Sequence, residues 1–362
     1  MPRRSASALL AVLTLTALAA CTAAPPAAAP EPAATSATPL TAADLVDPKT
    51  IMGASTAVPV NEVEPISDDV TPSMPVTVTD VEGTEVTITA ATRIIALDLY
   101  GTLAETVVGL GLGNNLVGRS VSNTMESMED LPVVTQNGHE LNGEAILQLE
   151  PTVILTDESL GPREVQDQMR DSGIPVVFLE GTRSMDTVDE QIIAVAAALG
   201  VEEEGALLAA RSVAEIAEAK VDIAAMAPAD AADKLRVAFL YVRGSGSIFF
   251  ILGKGMGADD LIQSVGAIDV ATEAGIEGAR PANSEALLTI NPDLILTMTG
   301  GVESTGGLDG LLERPGVSDT IAGQNRRVVD MSDGQILSFG PTTGAVLRSL
   351  AQAIYAPTEL RP

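Results

Sequence analysis

The chain has 362 residues, 49 of them acidic and 20 basic, for a formal net charge of -29 at pH 7, with one cysteine and one histidine. Such acidity argues against nucleic acid as a partner, because phosphates would be repelled. A lone cysteine excludes an intramolecular disulfide, and a lone histidine leaves few candidates for zinc or acid–base chemistry.

Arg3 and Arg4 precede an uncharged apolar run from Ala8 to Leu18, closed by Leu18-Ala-Ala-Cys21. This is the pattern of an export signal over residues 1–20, too short to span a bilayer. Cys21 stands where the bacterial lipobox has its acylated cysteine, so the resemblance implies a lipid anchor on the outer face of the cell membrane; an ordinary secretory cut is the alternative. Residues 21–74 are rich in Ala, Pro and Thr and are expected to be a disordered tether.

Residues 75–200 read as a first α/β lobe. It opens with a hairpin over Pro75–Thr89 turning at Gly83. Strands follow at Arg93–Leu97, Val117–Arg119, Pro132–Thr135, Thr152–Leu155 and Pro175–Leu179. Helices are expected at Glu105–Leu112, Glu144–Leu149, Pro162–Ser172 and Val188–Leu199, the last stopped by Gly200. Residues 201–230 hold a linking helix, Glu202 to about Ala227, free of proline. Residues 231–357 form a second lobe. Its strand Arg236–Leu240 repeats the character of Arg93–Leu97, and a Gly-rich hairpin follows around Ile248–Leu252. After these come a helix at Asp259–Val265, strands at Leu294–Thr297 and Arg327–Met331, and a last helix at Thr343–Ala356. Strands alternating with helices predict two parallel central sheets with right-handed crossovers.

A repeat supports the division into lobes. Asn142–Thr156 and Asn283–Thr297, 141 positions apart, share Asn, Glu, Ala, Leu, Pro, Ile, Leu and Thr at equivalent positions. The spacing is too long for a solenoid and suggests one copy of a helix-to-strand unit per lobe, with a ligand cleft between the lobes.

Two α/β lobes joined by one long helix behind a lipidated tether resemble the helix-spine class (class III) of substrate-binding proteins of ABC importers. Within that class the chain resembles the haemin-binding lipoproteins of actinobacterial haem uptake. The likeness rests on the entry hairpin from Pro75, the run Glu144-Ala-Ile-Leu-Gln-Leu-Glu-Pro-Thr-Val-Ile-Leu, Arg314-Pro-Gly-Val and Arg327-Val-Val. It implies a binding protein, not an enzyme, that carries ferric haem b as cargo to a permease and its ATPase.

Ligands in open parallel sheets sit beyond the carboxyl ends of the strands. His139 follows the strand ending at Thr135, and Tyr241 follows the one ending at Leu240. Imidazole and phenolate both ligate haem iron. A free phenol has a pKa of ~10, and a neighbouring guanidinium favours its ionised form. Arg243 shares a face with Tyr241 if the strand continues. The resemblance implies His139 and Tyr241 as axial ligands and Arg243 as the phenolate's partner. Taken singly, a His in a Gly-His-Glu turn is commonly a surface or capping residue, and a Tyr after an apolar strand a packing residue.

Arg280 holds in the second lobe the place of His139 in the first, to meet a propionate or simply stand as a surface cation. Tyr100 and Met298, each after a strand, are expected to pack on the macrocycle or to substitute as ligands. Glu144 and Glu285 occupy equivalent first turns, where an acid complements the helix dipole. The resemblance assigns both to docking on permease arginines. Two alternatives remain: a ferric-siderophore or corrinoid carrier, and an exported α/β enzyme. The first is disfavoured by the lack of Trp and the few cations, the second by the lack of a nucleophile elbow, P-loop or paired metal ligands.

Overall fold

The computed structural model describes residues 45–362 apart from 245 and 247. The expected signal peptide, Cys21 and the first part of the tether lie outside the described residues. Ile94–Leu97 and Val153–Thr156 are buried at every position, as strands covered on both faces must be. They form the middle of a four-stranded parallel sheet, flanked by Leu116–Gly118 and Val176–Phe178.

The second sheet has seven strands among the described residues. Ser55–Thr56, Val328–Met331, Leu294–Met298 and Arg236–Arg243 run parallel in that order. Past Arg236–Arg243 the direction reverses, and Ile248–Leu252 and Ala279–Pro281 are antiparallel. Chain length explains why the expected Gly-rich hairpin reverses direction within a mainly parallel sheet. The link from Arg243 to Ile248 is long enough for a hairpin and far too short for a parallel crossover.

The repeat is a structural unit. Asn142 and Asn283 each cap a short helix, accepting from the backbone N–H of Ala145 at 3.1 Å and of Ala286 at 2.9 Å. Each helix leads through a left-handed residue, Glu150 or Asn291, into an inner strand of its lobe's sheet. The 25-residue helix Glu202–Met226 joins the lobes; at ~1.5 Å per residue it is about 37 Å long. It packs against Val188–Leu199 and Thr343–Tyr355. At Gly205 the helices approach so closely that a Cβ would lie 2.3 Å from Ala196 Cβ.

The largest core runs without a break from Leu103 and Val107 of the first lobe, through Leu208 and Ile216 of the spine, to Val237, Leu296 and Leu350 of the second. The lobes therefore share one interior rather than meeting at a wet hinge.

The expected tether is corrected from residue 45 onward. Ser55–Thr56 is an edge strand of the second sheet, Val60 exchanges backbone hydrogen bonds with the Gln335 side chain at 3.1 and 2.9 Å, and the Ile66 N–H reaches Gly109 O at 2.9 Å. The segment crosses both lobes before entering the hairpin Val76–Thr79/Glu85–Ile88. Ile51, Ala54, Ala57, Val60, Val63 and Ile66 face inward or lie half-buried at every third position.

A buried carboxyl lies where the lobes meet. Glu105 accepts from the Thr342 backbone N–H at 3.0 Å and from its hydroxyl, and burial pushes its pKa up from 4.5 to about 7. A carboxyl that keeps its proton longer when folded releases it on unfolding. Stability should thus fall as pH rises between about 4.5 and 7. Glu105→Gln is expected to remove that slope and raise the urea midpoint at pH 8, measured against wild type across pH 5 to 8.

Candidate functional site

A cleft of about 550 Å³ opens between the lobes. Its walls are mostly apolar, with Leu99, Val121 and Tyr100 on one side and Phe250, Leu252 and Met256 on the other. That size and lining suit a largely apolar small molecule with few polar attachments.

Tyr241 and Arg243 reach the cleft through the alternation of their strand. Ala238, Leu240 and Val242 point into the outer core, while Val237 and Phe239 point into the shared core. Tyr241 and Arg243 continue that second face and line the cleft. The strand runs through Arg243, pairing Tyr241 with Phe250 and Arg243 with Ile248. Tyr241 is thus held within the sheet, not just past a strand end as the sequence suggested. The Arg243 guanidinium lies 4.8 Å from the Tyr241 ring centre. It donates to Asp333 Oδ2 at 2.6 Å, to Met298 Sδ at 3.2 Å and to Val242 O at 3.0 Å.

His139 faces them from the first lobe. It stands beside the turn of a small hairpin, Thr135–Gln136 with Glu140–Leu141, not past a strand of the parallel sheet. The turn is left-handed at Asn137 and Gly138, with φ of 48° and 93°, a conformation that Asn and Gly tolerate. Burial, and then the nearby Arg243 charge, hold the imidazole below its ordinary pKa. That favours the neutral imidazole, whose one unprotonated ring nitrogen can ligate a metal.

The two cleft tyrosines differ. Tyr100 is half-buried, its ring 5.7 Å from the Arg183 guanidinium. Arg183 is itself neutralised by Asp157 at 2.8 Å and Asp98 at 3.2 Å. Burial, only partly offset by Arg183, pushes the Tyr100 phenol up. Met298 ends the strand Leu294–Met298 and also lines the cleft.

Arg280 is not brought to the cleft. It pairs with Ile251, whose side chain is in the outer core, whereas its neighbour Ala279 pairs with Leu252 and lines the cleft. Alternation puts the guanidinium on the far face, exposed, donating to Glu277 O at 3.2 Å. The match with His139 fails because the repeat holds only from the capping asparagine onward. Glu144 and Glu285 also lie outside the cleft, exposed in the first turns of the two capped helices.

Sequence reasoning missed Phe250, opposite Tyr241, and Asp333, the partner of Arg243. Period two within the hairpin would have found Phe250. Asp333, in a Ser-Asp-Gly sequence after a strand, looks like an ordinary turn residue.

The family described as periplasmic binding protein matches residues 97–333. Among solved structures, the haem-binding protein HmuT is 46% identical, over 86% of this chain and 100% of that one, with a TM-score of 0.83. Structures of that protein with alanine in place of one histidine, of one arginine or of one tyrosine match at 45% identity. The periplasmic haem-binding protein RhuT from Roseiflexus sp. RS-1 is 36% identical over 75% of this chain and 100% of its own, with a TM-score of 0.68. The periplasmic haem-binding protein BhuT, solved in complex with two haems, is 29% identical over 72% and 98%, with a TM-score of 0.63. No curated protein sequence matches the chain.

Proposed function

The chain belongs to the periplasmic binding protein family, and from that premise we propose that it binds ferric haem between its lobes and delivers it, chemically unchanged, to an ABC importer. His139 and Tyr241 are the axial ligands. Arg243 is the partner of the phenolate, and Tyr100, Phe250 and Met298 pack on the macrocycle. One observation carries this reading: the chain's sole histidine and a Tyr-x-Arg pair face one apolar cleft from opposite lobes. The relative at 46% identity, a haem-binding protein, has been solved with alanine at single His, Tyr and Arg positions, the last two separated by one residue as Tyr241 and Arg243 are.

Each wall contributes differently. Burying apolar macrocycle is favourable by about 2.5 kcal/mol per 100 Å², so the cleft itself supplies affinity that does not depend on iron. The ligands add specificity for ferric iron, and coordination displaces the phenol proton. Outside the cleft, Glu144 and Glu285 present one carboxylate per lobe and serve as docking points for permease arginines. Cys21 is the lipid anchor that keeps the domain at the outer face of the membrane, with residues 22–44 as its tether.

His139→Ala is expected to retain haem but lose roughly tenfold in affinity, a loss of about 1.4 kcal/mol, and to leave the iron five-coordinate. In wild type, acid should produce the same spectrum once pH falls below the depressed range of His139, because a protonated imidazole cannot ligate. An absorption titration of both proteins with haemin from pH 8 to pH 4 checks this. Identical spectra for wild type and His139→Ala throughout would remove His139 from the coordination sphere.

A further inference from the structure

We propose that Asp333 is the positioning residue of the site, fixing Arg243 against the Tyr241 ring. The inference rests on the ferric-haem reading above and goes beyond it, since nothing in that reading requires an acid at this place.

An arginine side chain gives up rotamer freedom when it is held in one arrangement. The other partners of the Arg243 guanidinium are one backbone carbonyl, Val242 O, and the Met298 thioether. A thioether is a weak acceptor, whereas a bond to a carboxylate has roughly twice the strength of a neutral one. Asp333 is therefore the contact that decides where the guanidinium stays. Its own place is fixed, because its second oxygen accepts from the Gly300 N–H at 2.8 Å.

The local sequence leaves room for this pair. A Cβ on Gly300 would lie 2.8 Å from Asp333 Oδ2, and one on Gly301 would lie 2.9 Å from Val242 O and 3.0 Å from Arg243 Nη1. The strand end at Met298, the two glycines and the turn at Asp333 together make a seat for one guanidinium beside one phenol ring. Through Arg243, Asp333 acts on the bond between Tyr241 and iron without touching either.

The test uses the full chain loaded with haemin and reads the phenolate-to-iron charge-transfer band and the reduction potential of the iron. Asp333→Ala is expected to move both in the same direction as Arg243→Ala. Asp333→Asn, which keeps an acceptor oxygen but not the charge, should recover part of the wild-type values. The double variant Asp333→Ala/Arg243→Ala should match Arg243→Ala alone, because Asp333 works only through the arginine. Gly300→Ala, which displaces the carboxylate without removing it, serves as an independent variant and should shift the band the same way by less. A band and potential unchanged in Asp333→Ala, or effects of the two alanine substitutions that simply add, would overturn the proposal. Absence of a phenolate band in wild type would instead end the ferric-haem reading itself.

Discussion

Tyr241→Ala is expected to weaken haemin binding by at least a hundredfold, or about 2.8 kcal/mol, and to abolish the phenolate band. Tyr241 is carried on a strand that pairs with Ile248–Leu252 from Phe239 to Arg243, Tyr241 lying opposite Phe250, and that pairs on its other edge with Leu294, Ile295 and Leu296 as far as Phe239. Its position is therefore set by the sheet, whereas His139 sits beside the tip of a hairpin with two paired residues on each strand. Loss of an outer partner of a metal ligand typically costs 10- to 100-fold in affinity. Loss of the ligand itself, held this firmly, must cost at least as much. A fluorescence or absorption titration of the variant with haemin measures the effect. Affinity within a factor of three of wild type would count against Tyr241 as a ligand.

The second large effect separates transport from binding. Glu144→Ala/Glu285→Ala is expected to stop haem uptake in cells while leaving haemin affinity unchanged. Both carboxylates are exposed, in the first turns of helices whose N-termini are already satisfied by Asn142 and Asn283. Removing them costs the fold little, since an acid in the first turn of an exposed helix contributes 0.3 to 1 kcal/mol by a rough general figure. Neither lines the cleft. Growth on haemin as the sole iron source, alongside titration of the purified variant, reads the two properties separately. Normal growth would sink the docking role; reduced affinity would show that the residues serve the binding site instead.

The shared core bears on how the cargo leaves. Lobes that share Leu103, Leu208, Val237 and Leu350 in one apolar cluster, and that are crossed by a second strap at Val60 and Gln335, resist wide opening. Separating them would expose that interior to water, at about 25 cal/mol for each Å² of apolar surface.

Local patterns were the legible part of this chain. Buried strands such as Ile94–Leu97, the spine and the capped helices declare themselves from residues close along the chain, because hydrophobic runs, helical period and capping are short-range effects. The relation of Tyr241 to Arg243 was legible for the same reason, being a period of two along one strand. What escaped were pairings between distant positions. Asp333 meets Arg243 across 90 positions, and nothing in its Ser-Asp-Gly surroundings separates it from a turn residue. Of the two places open to Arg280 it takes that of an exposed cation, because the equivalence between lobes stops at Asn283: upstream, one lobe has a free hairpin and the other a sheet strand. The strap escaped for a different reason, since its apolar residues are spread among Pro, Gly and polar positions and only two of its residues form a strand.

Resonance Raman spectroscopy of the haemin-loaded protein tests the central claim most directly. Excitation into the charge-transfer band should reveal iron–phenolate vibrations in wild type and in His139→Ala, and none in Tyr241→Ala. A wild-type spectrum without phenolate modes, or one that survives replacement of Tyr241, would contradict the account.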